Sequence, residues 1–195
     1  MSGSLGGADD HVGGAAANLS GADDHVGGAE GNLGGVTNIV LAGLGGQGVI
    51  KASDILADAA LRAGFDVKKA EVHGMSQRGG SVTSDVRFGV KVLSPMVPRG
   101  EADFLVVLAA SEVEVARPLL RPGGVLLSPD LVPESALPNK RSLNVALLGA
   151  LSVYLDIPAE TLLAAVRAAL PERLHPVNER AFELGRSVAA DHDPI

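Results

Sequence analysis

At 195 residues, 46% hydrophobic and 20% charged, the chain is long enough for one good core and too short for two. A formal net charge of −7 argues against a broad surface for nucleic acid or anionic membrane, so neither is expected as a partner. The absence of cysteine excludes disulfides, thiolate catalysis and cysteine-held zinc or iron–sulfur sites within this chain.

Residues 1–35 stand apart. Ala8-Asp9-Asp10-His11-Val12-Gly13-Gly14-Ala15 recurs as Ala22-Asp23-Asp24-His25-Val26-Gly27-Gly28-Ala29, a period of 14. The segment holds 11 of the 25 glycines and five acids without a Lys or Arg. Two copies are too few for a solenoid, and two Asp-Asp-His clusters without a scaffold form no preorganised metal site. A disordered, acidic, Gly-rich extension is expected over 1–35, with the folded domain at 36–195. No basic n-region precedes an apolar run, and no apolar run approaches the roughly 20 residues of a membrane helix, so a cytoplasmic location is expected.

The domain opens with a strand over 37–42, then Gly43-Leu44-Gly45-Gly46-Gln47-Gly48, then a helix to residue 63. Ile50, Ile55, Leu56, Ala59, Ala60 and Ala63 follow the helical i, i+3, i+4 spacing, and Gly64 suits its C-terminal cap. Strand, G-x-G-x-x-G and helix, with Glu71 about 20 residues further on, fit a dinucleotide-binding fingerprint. A plain glycine turn between packed elements fits equally well.

A second strand is predicted over 65–70 and a third over 81–88, with Val82, Val86 and Phe88 on one face and Thr83, Asp85 and Arg87 on the other. Between them lies Glu71-Val72-His73-Gly74-Met75-Ser76-Gln77-Arg78-Gly79-Gly80, a polar loop of the kind that carries function on a rigid scaffold. Arg78 beside Gly79 and Gly80 offers a guanidinium fork and backbone N–H groups to a phosphate or carboxylate. His73 is the one histidine of the loop and a candidate for handling protons or orienting substrate; Gln77 can donate to a carbonyl or carboxylate. A solvated surface turn is the alternative.

Further on, a short strand is predicted around 91–93 and a buried parallel strand over 103–108. A capping box, Ser111-Glu112-Val113-Glu114, opens a helix to about 120, and Pro122-Gly123-Gly124 turns the chain into a strand over 125–128. An apolar helix to about 155 follows Asn139-Lys140-Arg141, then helices over 158–170 and 178–190. Alternating strands and helices predict a Rossmann-like, three-layer α/β/α sandwich.

Gly43-Leu44-Gly45-Gly46-Gln47-Gly48, the loop 71–80 and Ser94-Pro95, followed by Lys140, Asn144, Leu148-Gly149-Ala150, Asn178, Ala181, Phe182 and Gly185, resemble in order the gamma-type subunit or domain of the 2-oxoacid:ferredoxin oxidoreductases. The Glu-x-His-Gly-Met-x-Gln-Arg-Gly-Gly form of the loop is similar to the small subunit of indolepyruvate ferredoxin oxidoreductase. The resemblance covers about 36–190 and gives the repeat-bearing extension no counterpart. It implies an enzyme complex that decarboxylates a 2-oxoacid on thiamine diphosphate, passes electrons through iron–sulfur clusters to ferredoxin, and transfers the acyl group to coenzyme A. The chain has no Gly-Asp-Gly motif for magnesium and diphosphate and no thiolate for a cluster, so those cofactors are expected in a large partner subunit. This chain is then expected to close the active site and help bind coenzyme A. His73, Gln77 and Arg78 are the expected catalytic residues; Gly43, Gly45, Gly46, Gln47, Gly48, Ser76, Gly79, Gly80 and Lys140 are expected at the cofactor, with no metal ligand. Two other readings are a dinucleotide-binding NAD or FAD oxidoreductase and a non-catalytic interaction module.

Overall fold

Alternate residues along the central strands face two separate hydrophobic clusters, and this alternation organises the fold. The computed structural model describes residues 35–73 and 79–190, His73 by its backbone only. In chain order the elements are β1 (Val36–Leu44), α1 (Val49–Arg62), β2 (Asp66–His73), β3 (Ser81–Gly89), β4 (Ala102–Val107), α2 (Val113–Ala116), β5 (Leu120–Leu127), α3 (Leu143–Leu151), α4 (Ala159–Ala169) and α5 (His175–Ala190). The strands form one mixed sheet in the order β2-β3-β1-β4-β5. β3 runs antiparallel to both β1 and β2, while β1, β4 and β5 are parallel.

From β1, Ile39 and Leu41 face the larger cluster together with Val86 and Phe88 of β3, Val106 of β4 and the helices α1, α3, α4 and α5. Val40 and Ala42 face the smaller one, with Leu105 and Val107 of β4 and Ala116 of α2. The α/β class is therefore as expected, but its layers are unequal. Four helices fill one face, whereas α2, Val97 and the helical turns around it cover the other. α3 is buried along its length from Val145 to Leu151, as a helix apolar on every side must be. It lies so close to α5 that a Cβ on Gly149 would fall 2.0 Å from the Phe182 carbonyl oxygen.

Several expected boundaries move. β2 continues through Glu71, Val72 and His73, which pair with Ser84, Thr83 and Val82, so the polar loop starts only after His73. No strand forms at 91–93. There the Asp66 carboxylate takes the Val92 N–H at 2.8 Å, Arg87 holds the Ser94 and Met96 carbonyls at 3.0 Å each, and Pro95 and Pro98 have no N–H to give a ladder. The Val92 N–H also holds the Asp66 carboxyl below its ordinary pKa, with Lys68 adding to the effect. The expected helix to residue 120 is one α-turn between 3₁₀ turns, without a side-chain cap; Glu114 pairs with Arg117, and Pro118 ends the α-helical ladder. β5 runs straight through Pro122-Gly123-Gly124, with a register break opposite Ala102 and Phe104 that Gly123 at φ 72° permits. α3 stops at Leu151, where Ser152 Oγ donates back to the Gly149 carbonyl at 2.6 Å. α5 starts at His175, before the expected residue 178.

A polar network pins the 94–101 segment across the less covered face. Arg87 Nε donates to Asn38 Oδ1 at 2.8 Å, Asn38 Nδ2 donates to the Glu101 carbonyl at 3.3 Å, and the Asn38 N–H donates to Asp103 Oδ2 at 2.8 Å. Asp85, only 9% exposed, accepts the Val97 N–H at 2.9 Å. Burial pushes its carboxyl above the ordinary aspartate range, against the opposing pull of the Val97 N–H and Arg87.

Candidate functional site

β1 and β4 lie side by side and parallel, yet the chain leaves their carboxyl ends on opposite faces, through α1 toward β2 and through α2 toward β5. Such a divergence opens a crevice at the carboxyl edge of the sheet, the usual ligand position in open α/β folds. The glycine loop 43–48 forms one lip. Its shape is set from within: the Leu44 N–H donates to Gln47 Oε1 at 2.8 Å, and the Gln47 N–H returns to the Leu44 carbonyl at 3.1 Å. Gly46 and Gly48 take φ 94° and 85°, which side chains resist, and Gly48 caps α1. A Cβ on Gly48 would lie 2.6 Å from Asn144 Nδ2 in the first turn of α3, so the starts of α1 and α3 converge here.

The other lip is the start of β3. The Gly45 N–H donates to the Gly80 carbonyl at 2.9 Å, and a Cβ on Gly45 would touch the Gly79 nitrogen at 3.4 Å. Ser81 Oγ donates to Glu112 Oε2 at 2.6 Å, tying the same stretch to the segment after β4. Gly43, Gly45, Gly46, Gln47, Gly48, Gly79 and Gly80 are thus brought to one edge of the sheet. Gln47 serves the loop's own backbone with its side-chain oxygen. His73 ends β2 opposite Val82. Ser76, Gln77 and Arg78 lie outside the described residues.

Lys140 sits elsewhere. It pairs with Glu134 across a shallow cleft of about 390 Å³ between the end of β5 and the start of α3, sharing no wall with the glycine loop. Its side chain is 80% exposed. Glu71 does not reach the glycine loop as a dinucleotide fingerprint requires. β3 intervenes between β1 and β2, which sets Glu71 about two strand spacings, roughly 10 Å, from β1. There Glu71 holds Lys69 at 2.5 Å. Burial works against the Lys69 charge, but hydrogen bonds to Asp54 and Glu71 carry its pKa above the ordinary lysine value. Among the described residues no three His, Asp or Glu side chains cluster to hold a metal, and no helix is long and apolar enough to cross a membrane.

A profile of pyruvate ferredoxin/flavodoxin oxidoreductases matches residues 38–188. The chain belongs to that family. The indolepyruvate oxidoreductase subunit IorB of Thermococcus kodakarensis is 36% identical over 196 residues, covering 79% of this chain and 96% of that protein. The pyruvate/ketoisovalerate oxidoreductases common subunit gamma of Thermococcus litoralis is 32% identical over 120 residues, covering 59% of this chain and 65% of that one. Among solved structures, the keto/oxoacid ferredoxin oxidoreductase gamma subunit from Geobacter sulfurreducens superposes with TM-score 0.68 at 24% identity, over 80% of this chain and 99% of its own. The 2-oxoglutarate:ferredoxin oxidoreductase from Magnetococcus marinus superposes with TM-score 0.71 at 23% identity, over 82% of this chain; the match spans only 32% of that longer chain. These two share the fold. The family is the one the sequence motifs resemble, and the chain is a gamma-type oxidoreductase subunit within it.

Sequence reading missed Ser81 and Glu112 at this site. Ser81 reads as the first residue of a strand, and Glu112 as part of a helix start; only the sheet order brings them within 2.6 Å.

Proposed function

We propose that this chain is the small subunit of a complex that oxidatively decarboxylates an aryl 2-oxoacid of the indolepyruvate type, giving an acyl-CoA and passing two electrons to ferredoxin. The cysteine-free chain does not fit an iron–sulfur cluster, and its described residues do not fit the magnesium of thiamine diphosphate. Both groups are assigned to a large partner subunit. One observation carries the reading: the Gly45–Gly80 hydrogen bond joins two glycine-rich segments into a single edge at the carboxyl end of parallel strands. Such an edge presents backbone N–H groups to an anionic substrate and, against a partner, excludes water from the reacting centre. The family membership and the IorB relatives support the reaction class.

Within this reading the folded unit is 36–195, residues 1–35 are an appendage without a part in turnover, and the complex is cytoplasmic. Arg78 binds a coenzyme A phosphate with the Gly79 and Gly80 amides; His73 and Gln77 orient the 2-oxoacid and Ser76 assists at the cofactor, while Lys140, in its separate cleft, takes no part at this edge. Co-expression with the large subunit should give a brown complex that reduces a viologen dye with indolepyruvate and coenzyme A. The single chain should be colourless and inactive. Activity from the single chain, or saturable NADH binding to it, would overturn the division of labour. In the complex, Arg78→Ala should raise the KM for coenzyme A by about 10- to 100-fold, the worth of a charge-assisted hydrogen bond. Unchanged constants for both substrates would remove Arg78 from the site.

A further inference from the structure

We propose that Glu112 is a positioning residue of this site, acting through Ser81 to fix the Gly79–Gly80 lip against the glycine loop; the inference rests on the functional reading above. Gly80 has two neighbouring anchors. One is the Gly45 N–H on its carbonyl at 2.9 Å. The other is the next residue, Ser81, whose hydroxyl donates to Glu112 Oε2 at 2.6 Å. The first anchor lies in the glycine loop following β1 and the second in the segment following β4, the two parallel strands whose ends frame the crevice. Glu112 is itself held, since its N–H donates to the Ala109 carbonyl at 2.9 Å; the residue is half-buried, and its hydrogen bond to the exposed Ser81 lies at the surface. Gly79 at φ 69° has a backbone that relaxes readily once an anchor is released. A displacement of about 1 Å in a substrate-positioning group costs on the order of 100-fold in rate, so an anchor of this kind sets turnover without touching substrate.

The hydrogen bond needs an acceptor at position 112, and a charge there is not essential. Glu112→Gln retains an acceptor oxygen, whereas Glu112→Ala removes it. In the assembled complex, Glu112→Ala should lower kcat/KM about 10-fold with its thermal midpoint close to wild type, and Glu112→Gln should recover to within about 3-fold. Ser81→Ala should match Glu112→Ala, and the double variant should lose no more than either single change, because both remove one interaction. The pH profile of kcat/KM should keep its shape in Glu112→Gln. Equal losses in the Gln and Ala variants, multiplying losses in the double variant, or a missing limb in the pH profile would each overturn the proposal. Amide exchange of the full chain supplies a readout independent of activity: peptides covering 79–84 should exchange faster in Glu112→Ala and in Ser81→Ala. Unchanged exchange overturns the anchoring role even if the complex proves to catalyse another reaction, whereas an inactive wild-type complex with the expected exchange leaves Glu112 in place and removes the functional reading alone.

Discussion

Gly185→Ala should unfold the α3–α5 contact, and the cause is backbone against backbone. A Cβ at Gly185 would lie 1.8 Å from the Ala146 carbonyl oxygen and 2.9 Å from the Ala150 nitrogen. Real Cβ contacts essentially never fall below 3.0 Å, so the helices must part by roughly 1.2 Å. No rotamer change relieves it, because the obstructing atoms are main chain. A gap of about 0.5–1 Å forfeits about a quarter to a half of the dispersion energy of each contact it opens. Here those contacts include Phe182, Ala181, Ala146 and Leu147, all fully buried. Overpacking usually costs about 1–3 kcal/mol, and a rigid obstruction belongs at the upper end. Alanine returns about 1 kcal/mol through better helix propensity, which is too little to offset parting two helices. The net loss should be about 2 kcal/mol, or about 4–8 °C in Tm for a domain of this size. Circular dichroism melts of the full chain test it. A Tm within about 2 °C of wild type would refute the close crossing.

Asp85→Asn should change the pH dependence of stability. Burial raises the folded-state carboxyl above its unfolded value of 3.8, so the wild type loses stability as pH climbs through the folded pKa, and the variant should not. The Tm difference, variant minus wild type, should therefore grow as pH rises above about 3.8, and a flat difference would remove burial as the cause. Arg87→Ala loses three hydrogen bonds, to Asn38, Ser94 and Met96; it should cost about 1.5–3 kcal/mol in urea unfolding and speed amide exchange across 91–98. Protection unchanged over that segment would show that other contacts hold it. Gly48→Ala should cost more than Gly46→Ala: both impose positive φ on a side chain, at about 1–2 kcal/mol, but only the first also strikes Asn144. Equal Tm losses in the two variants would separate α3 from the glycine loop.

What the sequence made legible was local. The glycine loop, α1 and its Gly64 terminus at φ 90° follow from spacing within one stretch of chain, as does the alternation of β3. Where a distant group intervened, local signals failed. The residues at 91–93 have strand composition, but Asp66 and Arg87 take their neighbourhood's backbone groups. Ser111 and Glu114 have the spacing of a capping box, yet the turn is too short for it and Glu114 pairs with Arg117. Glu71 stands at the distance along the chain that a dinucleotide acid would occupy, and only the sheet order shows a strand in between. The Glu112–Ser81 contact joins residues 31 apart, which no periodicity encodes.

The single antiparallel strand, β3, has a consequence for the connection that leads into it. Because β3 runs against its neighbours, the connection between β2 and β3 opens at the same edge as the glycine loop. Sheet pairing of His73 with Val82 fixes its stem, and the Gly45–Gly80 hydrogen bond holds its far end to the glycine loop. The pairs that set the β2–β3 register, from Asp66–Gly89 to His73–Val82, all lie outside that connection. Strand register therefore depends on the paired stems, so a change of length in this interval should leave the pairing of β2 with β3 in place.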